Sequence, residues 1–420
     1  GAGMSAATPL SPTKDRVPPV VMLLAAVIFA FGTSEFMIAG LLENIAGELH
    51  VSLSAAGLLV TGFAVGMTIG APAMAIATLR LPIRTTMIGA TAIFALAHVM
   101  GAMAPDYAIL MTSRVIAAVA CGAFWAVAAV HTARVAPPAV VARSLAALIG
   151  GLSLANVIGV PGGAWLGTLF GWRSAFRALA AISALAAVLL ARAVKVKPEP
   201  NKKPIGALLR AELKAFRGHR LWISLSVTAA FQAAVFAAFS YFGPLLTQVS
   251  GVPSQWVPAV LMGFGVGAFL GVTIGGRLAD RNLFGNMIGS LIALSLSLVL
   301  LAIVASVAWA AIVAIVLVGL SGFSIAGALN ARVFQVAGAA PTLASSVNTS
   351  AFNVGNAVGP ALGAAVLAAG APPTATVWVG AGLAVLALGL ALVAKFSDGP
   401  LLRAQEAREL ARREQAGSSG

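Results

Sequence analysis

The sequence predicts an all-α polytopic membrane protein in which twelve transmembrane helices form two pseudo-symmetric six-helix bundles. Hydrophobic residues make up 60% of the 420 residues and charged residues only 9%, whereas charged residues form about a quarter of a soluble domain. Apolar runs that are long enough to cross a bilayer recur along the chain, and its two halves are related in sequence. The composition therefore excludes a soluble globular protein.

Twelve apolar runs have the length of a membrane span, because about 20 apolar residues cross the hydrocarbon core of a bilayer. The longest connection, residues 195–220, is a basic linker whose second part has the pattern of an amphipathic surface helix. It separates an N-terminal bundle at residues 18–194 from a C-terminal bundle at residues 221–395, and residues 396–420 form a cytoplasmic tail. We predict the spans at residues 18–42, 52–78, 84–104, 106–132, 142–168, 173–194, 221–247, 254–279, 283–305, 308–334, 342–369 and 374–395.

The Lys and Arg residues predict the orientation of the chain. They concentrate in alternate connections, while the opposite side of the membrane receives only Arg173 and Arg177. Because basic connections stay in the cytoplasm, we expect both termini to be cytoplasmic, in a bacterial cytoplasmic membrane. The net charge of +14 then reflects topology in the lipid bilayer and not nucleic acid binding, which needs a basic face on a folded module.

The two halves share an internal repeat. Residues 51–80 align with residues 252–281 at a constant offset, and the glycines of the fifth span align with those of the eleventh. Two six-helix halves related by an axis along the membrane normal are typical of transporters that bind their substrate near the midplane, between the halves. The matched pairs include Gly66 with Gly267, Gly70 with Gly271, Asn156 with Asn356, Gly159 with Gly359 and Gly163 with Gly363.

Two side chains that would normally carry a charge lie within the predicted spans proper, Glu35 in the first and Arg114 in the fourth. A charge at the bilayer centre costs about 2.5 to 3.5 kcal/mol on insertion scales, so such residues are usually functional. Both lie at a similar depth, so they can pair or compete. Burial favours a protonated carboxyl and a nearby cation favours an ionised one, which makes Glu35 a candidate proton switch. The alternatives are that Glu35 snorkels outward or that the pair only ties two helices together.

Other residues are candidates for conformational change. Gly159, Pro161, Gly162 and Gly163 predict a bent fifth span that packs tightly against a neighbour, although glycine-rich packing faces are common in helical membrane proteins. After the eighth span, Gly276, Asp280 and Arg281 form a turn that either latches one conformation or is simply solvated.

Polar and aromatic residues at depth are candidates for substrate binding, and interhelical hydrogen bonding or packing is their alternative role. His98 and His131, near span ends, are expected to be satisfied interfacial histidines and not proton relays. The sequence contains no metal-ligand cluster, P-loop or nucleophile elbow, so we expect neither an enzyme nor a cofactor. The substrate-binding candidates, besides Glu35 and Arg114, are Trp125, Gln232, Tyr241, Asn330 and Asn356.

The motifs resemble those of the major facilitator superfamily. The similarity is carried by the segment Gly276 to Arg281, by Arg114 within Ser113 to Gly122, and by Gly159-Val160-Pro161-Gly162-Gly163. The last of these is similar to the antiporter motif of the twelve-span drug:proton antiporters. The resemblance implies the major facilitator fold, and it implies that the protein transports its substrate out of the cell.

A closer resemblance is to the actinobacterial chloramphenicol-resistance exporters. Its residues are Phe31 to Met37, Phe63 to Pro72 and Gly171 to Phe176. Sugar and nucleoside exporters share part of the first motif. The resemblance implies that Glu35 is the acidic residue of span one that couples protons or substrate, and that Arg114 is the arginine of span four. The chain departs from the family pattern at Leu79, where an acidic residue is usual.

The resulting expectation is proton-coupled efflux, by alternating access, of small and largely apolar drugs, with chloramphenicol-like compounds as the best guess. A sugar or nucleoside exporter and a proton-coupled importer are alternatives with the same fold, and a membrane sensor or scaffold is the alternative without transport. The expected partners are the small-molecule substrate, protons and the lipid bilayer, and we expect the protein to be a monomer.

Overall fold

The computed structural model describes residues 16–51, 53–194, 204–253, 256–337 and 341–417. Helices joined by short turns make up this part of the chain, which contains no strand, so the predicted all-α fold is confirmed. The helices are α1 Pro19–Leu49, α2 Leu53–Ala77, α3 Ile83–Ala102, α4 Tyr107–Val135, α5 Val141–Leu154, α6 Val160–Phe170, α7 Trp172–Ala193, α8 Ile205–Lys214, α9 His219–Phe239, α10 Phe242–Pro244, α11 Val257–Arg281, α12 Leu283–Val304, α13 Ala308–Phe323, α14 Ala326–Ala337, α15 Pro341–Ala368 and α16 Thr374–Gly417.

Residues at the helix ends explain several of these boundaries. Asp106 accepts a hydrogen bond from the Ile109 amide at 2.9 Å and begins α4, and Asn282 begins α12 by accepting one from the Gly285 amide at 2.9 Å. Gly171 and Gly370, which follow α6 and α15, have φ angles of 86° and 93°. Glycine adopts this conformation without the steric cost of a Cβ.

Eleven stretches of the described residues are long and apolar enough to cross a membrane, and Gly62–Ala77 of α2 adds a shorter apolar stretch. Most of them coincide with the predicted spans. The fifth span differs because it consists of α5 and α6 joined by a π turn at Ala155–Gly159. Pro161 lacks the amide that would continue the regular ladder, so the helix changes its hydrogen-bond register there.

Two further spans differ from the prediction. The tenth span is broken between α13 and α14, and the seventh ends at Phe239, earlier than predicted. The segment predicted as a tail is helical, because α16 continues from the last span to Gly417. Of the predicted linker, residues 195–203 lie outside the described residues.

The two halves repeat the same helix packing, and the aligned glycines are at equivalent contacts. In α2, a methyl group on Gly66 would lie 2.7 Å from Ala118 of α4, and in α11, one on Gly267 would lie 2.6 Å from the Val316 carbonyl of α13. The fifth span packs likewise on α1, and α15 packs on α9. The glycines shared by the two halves in sequence are therefore the positions where neighbouring helices of each half approach most closely.

Several contacts between the two halves lie toward one end of the molecule. We call this end, which carries the connections with Arg80, Arg134 and Arg281, the basic end. Ser350 of α15 donates a hydrogen bond to the Thr68 carbonyl of α2 at 2.6 Å. Two small apolar clusters join the halves, one built from Ala75, Ala126 and Leu343, the other from Ala146, Ile149, Val272 and Ala326. The cleft between the halves is therefore closed at the basic end.

The linker helix α8 contributes to this closed end. Glu212 is buried, and its carboxylate accepts a hydrogen bond at 3.2 Å from the amide of Leu343, in the first turn of α15. Burial raises the pKa of the Glu212 carboxyl, and the hydrogen bond from Leu343 partly opposes that rise. The amphipathic segment predicted from the sequence thus forms a helix, and its acidic side chain caps another helix.

A buried ionic cluster lies at the basic end of the C-terminal half. Asp398 accepts hydrogen bonds from Arg332 at 2.8 Å and from Arg220 at 2.9 Å. The side chains of Asp398 and Arg332 are only 6% and 4% exposed. The cluster connects α9, α14 and α16.

We expect Asp398→Asn to destabilise the protein by about 3 to 5 kcal/mol, because it leaves the buried Arg332 without its counter-charge. The matched control is Glu48→Gln, which removes a carboxylate that is 49% exposed and pairs with Arg173 at 2.9 Å. An exposed pair contributes about 0 to 1 kcal/mol. Thermal unfolding in detergent measures both variants, and equal losses of stability would contradict the prediction.

Candidate functional site

The candidate site lies on α1, a helix of the N-terminal half. α1 packs against α2, α4, α5, α6 and α7. Its neighbours α2 and α5 contact α15 and α11 of the other half. α1 therefore lies next to the helices that join the two halves. Glu35, near the middle of this helix, is partly exposed.

Arg114 of α4 is bound to α1 by two hydrogen bonds. Its side chain is buried, with the residue only 1% exposed. Nη1 donates to Ser34 Oγ at 2.8 Å and Nη2 donates to the Ser34 carbonyl at 2.9 Å. The guanidinium also lies over the ring of Phe63, 4.6 Å from its centroid. Nε has no hydrogen-bond partner among the described residues, so the guanidinium has an unused donor.

Ser34 connects Arg114 to a histidine of α3. Ser34 Oγ lies 2.6 Å from His98 Nε2, and His98 Nδ1 lies 2.8 Å from the Phe94 carbonyl. A carbonyl only accepts hydrogen bonds, so Nδ1 carries a proton and Nε2 of the neutral ring accepts from the Ser34 hydroxyl. The three side chains thus form one buried chain of hydrogen bonds across α4, α1 and α3.

Glu35 and Arg114 interact electrostatically but are not in contact. The two side chains lie within electrostatic range of each other. Ion pairs with N–O distances up to 4.0 Å include Arg173–Glu48, Arg220–Asp398 and Arg332–Asp398, whereas the hydrogen bonds of the Arg114 guanidinium go to Ser34. In this conformation the guanidinium is therefore held by Ser34, the residue next to Glu35, and not by the carboxylate.

The glycines of the fifth span pack against the same part of α1. A methyl group on Gly159 would lie 2.9 Å from Thr33 Cβ, and one on Gly163 would lie 3.2 Å from Met37 Cβ. Pro161 is exposed, and Gly162 has no heavy atom within 4 Å of the position of a Cβ. Two residues of the motif thus fix α1 immediately beside Ser34 and Glu35.

The C-terminal half contributes amide side chains instead of charges at this depth. Gln232 Nε2 of α9 donates to Asn356 Oδ1 of α15 at 2.7 Å. Asn348 of α15 donates to Asn330 Oδ1 of α14 at 3.1 Å. The hydroxyl of Tyr241 donates to the Pro360 carbonyl at 2.8 Å. These candidates therefore form interhelical hydrogen bonds, which matches the alternative role stated for them.

The remaining predicted residues lie away from Glu35 or serve in packing. Trp125 packs against the apolar core of the N-terminal half. Asp280 and Arg281 are exposed at the end of α11, at the basic end. Gly276 is buried, and its Cα would lie 3.5 Å from a methyl group on Gly327 of α14.

The sequence analysis missed Ser34 and His98 as parts of the site. Ser34 lies in the segment Phe31 to Met37, which carries the family resemblance, but no role was predicted for it. His98 was predicted to lie near the membrane interface. The structure instead buries His98, which is 1% exposed. The available signal was its place in the predicted third span, four residues after Phe94, where an imidazole can bond to a carbonyl of its own helix.

Comparison with known proteins gives consistent matches. The family model described as Major Facilitator Superfamily matches residues 24–349. A chloramphenicol resistance protein of Streptomyces lividans is 37% identical, over 84% of this chain and 90% of that protein. The inner membrane transport protein YdhP of Escherichia coli K12 is 36% identical, over 88% of this chain and 94% of that protein. The solved structure of the E. coli fucose:proton symporter FucP superposes with a TM-score of 0.72 at 16% identity, covering 90% of this chain and 99% of that one.

We expect Gly159→Ala to destabilise the protein by about 1 to 3 kcal/mol, because its methyl group overpacks the contact with Thr33. Gly162→Ala is the matched control in the same motif, since its methyl group meets open space. Thermal unfolding in detergent compares the two variants. A Gly162→Ala variant as unstable as Gly159→Ala would show that close packing on α1 is not the cause.

Proposed function

Given that the chain belongs to the Major Facilitator Superfamily, whose members are membrane transporters, we propose that it exports small, largely apolar drugs in exchange for protons. The family predicted from the motifs is confirmed, and the protein is a multi-pass membrane protein. Chloramphenicol-like compounds are the proposed substrates. The name of the Streptomyces lividans relative supports this class, because that chloramphenicol resistance protein is 37% identical to this chain over the matched region.

The observation that carries the proposal is the placement of Glu35. It is a partly exposed carboxyl group near the middle of α1, and it lies beside a buried arginine that is held by the neighbouring residue. A carboxyl in this setting can exchange a proton with a water-filled cleft. Intramembrane carboxylates with these features mark proton pathways in transporters.

Apolar side chains near the contact between the halves support an apolar substrate. On the face of α15 that carries Ser350, the residues one and two turns farther from the basic end are Val354 and Val358, which are 41% and 42% exposed. Val65 of α2, three residues before Thr68, is 51% exposed. Binding sites for small molecules are mostly apolar with a few placed polar groups. Glu35 and the amides of the C-terminal half supply polar groups of this kind.

The contacts between the halves define which step of the cycle the conformation represents. If the basic end faces the cytoplasm, as the positive-inside rule predicts, the closed end is cytoplasmic and the cleft opens outward. In that state Glu35 takes up a proton from outside and the drug leaves. After the halves rock to open the cytoplasmic side, Glu35 releases its proton and substrate binds. Alternating access of this kind uses the two halves as rigid bodies around a fixed site.

We expect expression of the protein to raise the resistance of a bacterial host that lacks its own drug pumps to chloramphenicol and similar apolar drugs, and not to charged or sugar-like compounds. The reason is the set of apolar side chains near the contact between the halves. A susceptibility panel measures this range, with an empty vector as control. Resistance limited to sugar-like compounds, or no change for any compound, would contradict the proposed substrates.

We expect Glu35→Gln to abolish proton-driven drug transport in proteoliposomes while drug-for-drug counterflow continues. Glutamine preserves the shape of the side chain but cannot load or release a proton. Glu48→Gln is the control, because Glu48 is an exposed carboxylate in the last turn of α1 that pairs with Arg173. Drug-dependent proton movement is measured with a pH-sensitive dye. Wild-type coupling in Glu35→Gln would eliminate Glu35 as the proton carrier, and drug movement down the proton gradient would identify an importer.

A further inference from the structure

The chain of hydrogen bonds from Arg114 through Ser34 to His98 ends at a buried histidine that does not itself contact Glu35. We propose that His98 is a positioning residue for proton coupling: it fixes the Ser34 hydroxyl as the acceptor of Arg114 and thereby keeps the guanidinium away from Glu35 in the conformation closed at the basic end. This role rests on the proposed function of Glu35 as the residue that binds the proton.

The hydrogen bonds have a single consistent direction. Phe94 accepts from His98 Nδ1, His98 Nε2 accepts from the Ser34 hydroxyl, and Ser34 Oγ accepts from Arg114 Nη1, over distances of 2.8, 2.6 and 2.8 Å. Because the Ser34 proton points at His98, the lone pairs of Ser34 Oγ remain available to the guanidinium. A residue without an acceptor at the Nε2 position would let the hydroxyl rotate and turn its proton elsewhere.

Aromatic rings packed around the His98 ring fix its position and exclude water from it. Its centroid lies 4.2 Å from that of Phe94, on the same helix, and 5.6 Å from that of Phe176 of α7. The charged group that faces it is Arg114 from α4, and α1 contributes the Ser34 hydroxyl. A second positive charge on the ring would be buried beside a permanent cation. The neutral ring is therefore the form that completes the chain of hydrogen bonds.

Arg114 has two competing partners on consecutive residues of α1. Ser34 takes Nη1 and Nη2 in this conformation, Glu35 is within electrostatic range, and Nε has no partner among the described residues. A guanidinium binds a carboxylate with two parallel hydrogen bonds when it can reach one. Weakening the bond to Ser34 should therefore move Arg114 toward the ionised form of Glu35.

The test measures the protonation of Glu35 directly. In purified protein, the infrared carbonyl band of the protonated carboxyl is titrated with pH and assigned to Glu35 by its absence in Glu35→Gln. In His98→Leu, which lacks the acceptor, we expect the midpoint of this titration to fall by about one pH unit or more, as for a carboxyl that gains an arginine partner. In His98→Gln, whose Oε1 can accept from Ser34, we expect the wild-type midpoint.

Two further variants separate positioning from structural damage. Ser34→Ala removes the other member of the contact and should lower the midpoint as His98→Leu does, so the prediction stays testable if one variant does not fold. His131→Leu is the matched control, because His131 is also a buried histidine, on α4, and its midpoint should stay unchanged.

The results distinguish this role from the proposed transport function. An unchanged midpoint in both His98→Leu and Ser34→Ala, or an equal fall in His98→Gln, would overturn the positioning role even if drug transport is normal. A protein that moves no drug but shows the expected shifts would overturn the proposed substrate and preserve the control of Glu35 by His98.

Discussion

The N-terminal half is organised around the need to keep a permanent cation inside a helix bundle. Arg114 cannot lose its charge under ordinary conditions, and its partners among the described residues are the hydroxyl and carbonyl of Ser34 and the face of Phe63. These interactions bind α4 to the middle of α1. Any arrangement that satisfies Arg114 also places Glu35 within its electrostatic field, because Glu35 follows Ser34 in the chain.

The two halves share a scaffold but differ in their chemistry. Equivalent glycines hold the fifth span on α1 and α15 on α9. The residues at the site, however, are ionic in the N-terminal half and neutral amides in the C-terminal half, where Gln232 and Asn356 bond to each other. An uncharged drug that binds to amides and apolar walls does not have to displace Arg114. Under the proposed function, proton and drug are then linked through the conformation of the two halves and not only through direct competition for Glu35.

The position of a residue within an apolar run and the repetition of a motif can both be read along the linear sequence. They were therefore sufficient to predict the architecture and the central charges. Glu35 and Arg114 stood out as charges in apolar runs, and the aligned glycines indicated the repeat. The partner of Arg114 could not be predicted in the same way, since Ser34 and His98 are polar residues of ordinary kinds whose contact joins positions 64 residues apart. The break before α14 also could not be predicted from the apolar pattern, which continues through residues 308–334.

The interface between the halves, where α2 packs against α15 and α5 packs against α11, is the part of the protein that must rearrange if the halves rock under the proposed function. Among the described residues, the contacts between halves include one hydrogen bond, from Ser350 to Thr68, and small clusters of alanine, valine, leucine and isoleucine. A net hydrogen bond contributes about 0.5 to 1.5 kcal/mol. One charge moved through 100 mV of membrane potential changes the free energy by about 2.3 kcal/mol. Loading or unloading one carboxyl can therefore shift the balance between conformations without disturbing the tightly packed helices inside either half.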